Sequence, residues 1–204
     1  MNLFDVYPLI PVTIDRAEGC RLWDDQGQEY LDLYGGHAVI SIGHTHPHYV
    51  KRIKDQLDKI AFYSNSVEIP IQEELAKKLG HLSCLHEYQL FLVNSGAEAN
   101  ENAIKMASFA TGKSGFIAFS GAFHGRTSGA VALTDNPKIV APCNERSDFH
   151  ILPWGDLDAV EEALKSNTIA GIIIEGIQGV GGIQIPEPDF LRGISSLAKK
   201  YEAK

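Results

Sequence analysis

The stretch Leu90–Ala107, LFLVNSGAEANENAIKMA, decides how the chain is to be read. With Tyr88 and Gln89 before it, the opening run YQLFLV is short, continuous and apolar, as in a strand buried on both faces. From Ala97 the pattern changes to a helical one, with Asn100, Ala103, Ile104 and Ala107 along one side. Between the two lies a turn of Asn94, Ser95, Gly96 and Ala97, with nothing bulky until Glu98. A helix start leaves backbone N–H groups unpaired and carries partial positive charge. Gly96 permits close approach, Ser95 adds a hydroxyl donor and Ala97 adds no bulk, which together make a cradle for an anion such as phosphate. The spacing is not that of G-x-x-x-x-G-K-[ST]. An ordinary Asn or Ser helix cap is the competing reading, and spacing alone favours it.

Working outward, GFIAFS (115–120), HILPW (150–154) and IAGIIIEGI (169–177) read as further strands. DLDAVEEALKS (156–166) reads as a helix whose acidic first turn suits the helix dipole. A last amphipathic helix runs from Asp189, with Phe190, Leu191, Ile194, Leu197 and Tyr201 on one side. Strands alternating with helices imply an α/β fold with a mostly parallel sheet. Ligands gather at the carboxyl ends of such strands. Asn94–Ala97, Gly121–Arg126 and Glu175–Gly182 all fall there. Upstream, residues 12–33 read as short β pieces, with a hairpin turn at Asp24–Gly27 between CRLW and EYLDL. A glycine-bearing loop, YGGHAVISIGHTHP, leads to a helix from Pro47 in which Val50, Ile53, Leu57 and Ile60 recur, and a second helix covers Ile71–Leu79.

Three motifs carry candidate chemistry. In SGAFHGRTSGA (120–130), Phe123 and His124 could stack on a flat ring, and Arg126 could grip a carboxylate bidentately. The plainer alternative is a turn with a core Phe and a surface Arg. In IIIEGIQGVGGIQIP (172–186), Glu175 ends an apolar run and needs a donor or a cation, in a site or in a structural hydrogen bond to a loop. His44, His46 and His48 tempt a metal reading, but Pro47 turns the chain into a helix and the three rings diverge, so a polar helix entry is preferred and no metal is expected.

Bulk properties narrow the class. Over 204 residues, 44% hydrophobic and 22% charged residues are ordinary for a globular protein. A net charge of −8 with no Lys/Arg cluster argues against a nucleic-acid partner. Cys20, Cys84 and Cys143 are widely spaced, which suits reduced thiols and a cytoplasmic setting rather than a disulfide framework. MNLFDVYPLIPVTIDRAEGC is not expected to be a signal peptide, and the longest apolar runs are too short to span a membrane.

Taken together and in order, YLDLYGGHAVISIGHTHP, NSGAEANENAIK, GAFHGRTSGA and the glycine-rich segment after Glu175 resemble the class III, pyridoxal-phosphate-dependent aminotransferases of fold type I. The resemblance covers nearly the whole chain. Within the family it is most similar to the N-acetylornithine aminotransferases of arginine biosynthesis, or their N-succinylornithine relatives. Ornithine and 4-aminobutyrate aminotransferases are more distant alternatives. The resemblance implies a fold type I large domain, here incomplete, over residues 46–204, with residues 1–45 as an N-terminal segment belonging to the family's small domain. It implies that Ser95, Gly96 and Ala97 hold the phosphate of pyridoxal 5′-phosphate, that Phe123 stacks on its ring with His124 beside it, and that Glu175 sits near the pyridine edge. Arg126 would bind a substrate carboxylate, and His37 would face the substrate and help select it. The substrates would be amino acids and oxo acids, and the intact enzyme a homodimer with no membrane partner.

Two departures stand out. Where the family often has Glu-Pro-x-x-Gly-Glu-Gly-Gly, Gly176 replaces the proline and Val180 the second glutamate. The family's pyridine-nitrogen aspartate and Schiff-base lysine have no counterpart in these residues; Lys105, on the helix after the phosphate turn, is expected to be solvated. The expectation is therefore an N-terminal part of an aminotransferase, with no catalytic residue of its own and no transaminase activity alone. A non-catalytic cofactor-binding module and a metal hydrolase built on the three histidines are the alternatives from other classes.

Overall fold

The computed structural model describes every residue except position 7. The chain forms two compact units, Met1–Glu87 and Tyr88–Lys204.

In the first unit, β1 (Ile14–Glu18), β2 (Arg21–Asp24) and β3 (Glu29–Leu31) make an antiparallel sheet in that order. The β2–β3 hairpin turns where the sequence places it. One Asp24 carboxylate oxygen accepts the N–H groups of Gln26 and Gln28 at 3.0 and 2.8 Å, and the Tyr30 hydroxyl donates to the other. A short turn, α1 (Gly35–Ala38), precedes α2 (Pro47–Leu57) and α3 (Pro70–Ser83). Both longer helices open on proline, whose missing N–H costs nothing in a first turn. The expected apolar stripe of α2 is present but uncovered, with Ile53 and Leu57 exposed. No described residue of this unit is buried.

The second unit contains α4 (Gly96–Thr111), β4 (Gly115–Phe119), α5 (Ser128–Ala132), two single 3₁₀ turns, β5 (Phe149–Leu152), α6 (Leu157–Leu164), β6 (Ile169–Ile172) and α7 (Pro188–Lys200). Its three strands are parallel, in the order β5-β4-β6. β4 is central and buried throughout. Its side chains alternate between two cores, as a period of two requires. Phe116 and Ala118 join Leu133 and Ala170 on one face, against Ile104 and Ala107 of α4. Ile117 and Phe119 join Val160, Leu164, Phe190 and Ile194 on the other, against α6 and α7. Each large side chain buried this way contributes about 1.5–3 kcal/mol. Asp156 caps α6 by accepting from Ala159 N at 2.9 Å. Lys204 lies along the outer edge of β6, exchanging backbone bonds with Ala170 and Ile172.

Two sequence expectations are corrected. Tyr88–Val93 is not a strand: it makes no ladder bond among the described residues, and Tyr88, Leu90, Phe91 and Leu92 are exposed. An apolar run becomes a strand only when a neighbour supplies N–H and C=O partners, and among the described residues none lies beside this one. The 169–177 run is cut short as well. Pairing reaches Ile173, whose N–H donates to Ile117 O, and the chain then leaves the sheet.

Candidate functional site

The turn at Asn94–Ala97 starts α4. Ser95 is extended and caps the helix, its Oγ accepting from Glu98 N at 3.2 Å. Glu98 reaches back past the cap, accepting the Asn94 N–H at 2.7 Å, so the S-x-x-E pair closes the helix start much as a capping box does. Bonds from Asn94, backbone first, and from Ser95 hold the Glu98 carboxyl below its ordinary range. The sequence reading gave the Ser95 hydroxyl to an anion; in the structure Glu98 engages it. The N–H groups of Gly96 and Ala97, the first two of α4, have no acceptor among the described residues. A Cβ at Gly96 would meet nothing within 4 Å, so the helix start is open to a ligand.

The second turn, Gly121–Arg126, follows β4. Asn100 of α4 donates to His124 O at 2.7 Å and binds this turn to the helix. Gly125, at φ 136°, passes so close that an added Cβ would stand 2.7 Å from Ala97 Cβ. Only glycine fits both that conformation and that approach. The Thr134 hydroxyl accepts from His124 N at 2.9 Å, which fixes the histidine backbone from the other side. His124 is 5% exposed, and its buried Nε2 has no hydrogen-bond partner among the described residues. Burial lowers its pKa, and the Glu175 carboxylate opposes that shift. Arg126 is exposed.

The third turn follows β6. Glu175 accepts from Phe123 N at 3.0 Å and from Gly179 N at 3.1 Å. The donors the sequence asked for are thus backbone N–H groups of two loops. Gln178, 1% exposed, donates to Ser120 O at 3.0 Å and fastens the same two turns. The structure therefore brings Gly96, Ala97, Phe123, His124 and Glu175 together through Asn100, Gly125 and Glu175 itself. His37 lies in the other unit, in the α1 turn, its ring against Tyr34 with centroids 4.9 Å apart. Lys105 is exposed on α4. Among the described residues no group of three His, Cys, Asp or Glu is placed to hold a metal; His44 is instead bonded to Asp32.

Sequence reasoning missed Glu98, Asn100, Gln178 and Asp32. The S-x-x-E spacing was a legible signal for the first. The others are long-range bonds with no local signature.

The donor set suits a dianion beside a flat ring: two free helix-start N–H groups, a half-buried Phe123 and a carboxylate held by neighbouring loops. Comparison with known proteins agrees. Residues 5–203 match the aminotransferase class-III family. The acetylornithine aminotransferases of Methanopyrus kandleri and Agrobacterium fabrum are each 40% identical to this chain, over 97% and 98% of it and 51% of their own length. Among solved structures, the ornithine aminotransferase of Toxoplasma gondii superposes with a TM-score of 0.88 at 26% identity, covering 98% of this chain and 49% of its own. The taurine:2-oxoglutarate aminotransferase of Bifidobacterium kashiwanohense, in complex with PLP and glutamate, gives 0.90 at 26% identity, covering 100% and 51%. The chain thus spans about half the length of the curated relatives it matches. Matched along nearly all of its residues, it belongs to the class-III aminotransferases, enzymes of fold type I whose cofactor is pyridoxal 5′-phosphate.

Proposed function

We propose that the intact protein moves the terminal amino group of N-acetylornithine, or of N-succinylornithine, to 2-oxoglutarate in arginine biosynthesis. The observation that carries this is 40% identity to acetylornithine aminotransferases over almost the whole chain. The likeness to an ornithine aminotransferase structure, at 26% identity, favours free ornithine as the second reading.

The cofactor, when bound, supplies an electron sink for amino transfer. This chain's residues bind and orient. Gly96 and Ala97 would hold the phosphate with their backbone N–H groups, aided by the α4 dipole, and Ser95 would add its hydroxyl. Phe123 would stack on the ring with His124 beside it, and Glu175, which holds the Phe123 backbone, would sit near the pyridine edge. Arg126 binds a substrate carboxylate and His37 contributes to substrate choice. No lysine here lies in the family's cofactor-bonding motif, so these 204 residues alone bind without transaminating. We place the protein in the cytoplasm as a homodimer, with residues 1–45 in its small domain and 46–204 in its large one.

The test is a donor panel on the intact protein with 2-oxoglutarate as acceptor. kcat/KM at least tenfold higher for the acylated ornithines than for ornithine or 4-aminobutyrate is expected. Equal or reversed preference overturns the substrate assignment.

A further inference from the structure

The loop between β3 and α2, in the first unit, carries a half-buried residue, Asp32, whose carboxylate the reading above does not use. The Asp32 side chain is 7% exposed. Its Oδ1 accepts the N–H groups of Tyr34 and Gly35 at 2.9 and 2.8 Å, and its Oδ2 bonds to His44 Nε2 at 2.6 Å. The His44 backbone is itself anchored, exchanging bonds with Gly19 at 2.8 and 3.0 Å. Beside it, the Thr45 hydroxyl donates to Ala17 O. A Cβ at Gly43 would stand 3.2 Å from the Gly19 backbone, so the loop is pressed onto the β1–β2 turn. Asp32 and His44 thus close the loop like a clasp, with one end on the sheet.

What the clasp encloses is unusual. Gly35, Gly36, His37 and Ala38 all have φ between 57° and 60°, the longest left-handed run among the described residues. It is closed by Ala38 N to Tyr34 O at 2.9 Å and Val39 N to Gly35 O at 3.0 Å. Glycine accepts this conformation freely. A histidine and an alanine in succession hold it only where the surroundings impose it. The imposed element here starts on the two N–H groups that Asp32 takes, and the Tyr34 hydroxyl is hydrogen bonded to the His37 ring.

We propose that Asp32 and His44 are a positioning pair: they hold the left-handed turn Gly35–Ala38 and so fix the direction from which His37 presents its imidazole to the substrate. Neither residue touches substrate; both act through the turn. The proposal rests on the reading of His37 as a substrate-facing residue.

The test has two arms. On the chain itself, amide exchange at Tyr34 and Gly35 and the backbone couplings of His37 and Ala38 report the turn, with the β1–β3 amides as the folding control. His44→Ala should speed exchange at Tyr34 and Gly35 at least tenfold and remove the left-handed couplings. His44→Gln, which keeps a donor near Nε2, should restore both. On the intact protein, His44→Ala should shift the kcat/KM ratio between acylated and free ornithine in the same direction as His37→Ala, and His44→Gln should return it. An unchanged turn in His44→Ala overturns the proposal whatever the kinetics. A lost turn with donor preference intact, where His37→Ala does change it, also overturns it. No change of preference in His37→Ala overturns the His37 reading itself and with it the role assigned to the pair.

Discussion

The two units draw on similar apolar material and dispose of it differently. In Tyr88–Lys204 the central strand β4 is covered on both faces, and every described core residue lies in this unit. In Met1–Glu87 the sheet and helices form with no described residue buried, and Ile53, Leu57 and Leu79 stay exposed. Two free-standing globular domains of these lengths would expose roughly 11,000 Å² together. The chain exposes 15,237 Å². Hairpin turns, proline starts and caps are local devices that shape an element without a core, whereas stability comes from burying its apolar face. The candidate cofactor site is built on the unit that has the core.

This contrast can be broken by mutation. Phe119 is 1% exposed and packs edge-on to Trp154 and Phe190. Phe119→Ala should cost the second unit about 3–5 kcal/mol in denaturant unfolding. Leu57→Ala, at an exposed position of α2, should cost less than about 0.5 kcal/mol. Comparable losses would mean that the first unit buries that residue in solution.

A middle-sized effect is expected where the turns meet. Gly125→Ala puts a methyl 2.7 Å from Ala97 Cβ at a φ of 136°. It should cost about 1–3 kcal/mol and loosen the α4 start, seen as faster exchange of the Gly96 and Ala97 amides. Ser95→Ala, which removes the cap, should cost about 1 kcal/mol.

Most of this was legible in the sequence, for definable reasons. The Asp24–Gly27 hairpin, the proline start of α2 and the strand β4 depend on local chemistry, and all form. Tyr88–Val93 has strand composition but no partner, and composition cannot supply one. The α/β pattern groups three turns, and hydrogen bonds join them in the structure, although Asn94–Ala97 follows no strand. The atoms that join them, Asn100 Nδ2, Gln178 Nε2 and the Glu175 oxygens, act over long sequence separations that no spacing encodes. Asp32 and His44, twelve positions apart, pair through a bond that no local motif announces.

The smallest effects separate the units by pH. Burial lowers the His124 pKa below its ordinary 6.5, so the unfolded state binds its proton first. Stability from neutral His124 is present above 6.5 and is lost as pH falls through the lower folded value. The Asp32 carboxyl is held at about 2 by the His44 bond and the Gly35 and Tyr34 N–H groups. Its contribution is present above its ordinary 3.8 and is lost only as pH falls through about 2. Between pH 7 and 5, amide protection should therefore weaken around the His124 turn and persist at Tyr34 and Gly35. His124→Gln should flatten the first response.

The most direct test of the site is a backbone-amide titration of the chain with pyridoxamine 5′-phosphate, which has the cofactor's phosphate and ring but no aldehyde to react with surface lysines. The account predicts saturable shifts centred on Gly96 and Ala97, with smaller ones at Phe123 and His124. Saturable shifts elsewhere, with Gly96 and Ala97 unmoved, would contradict it.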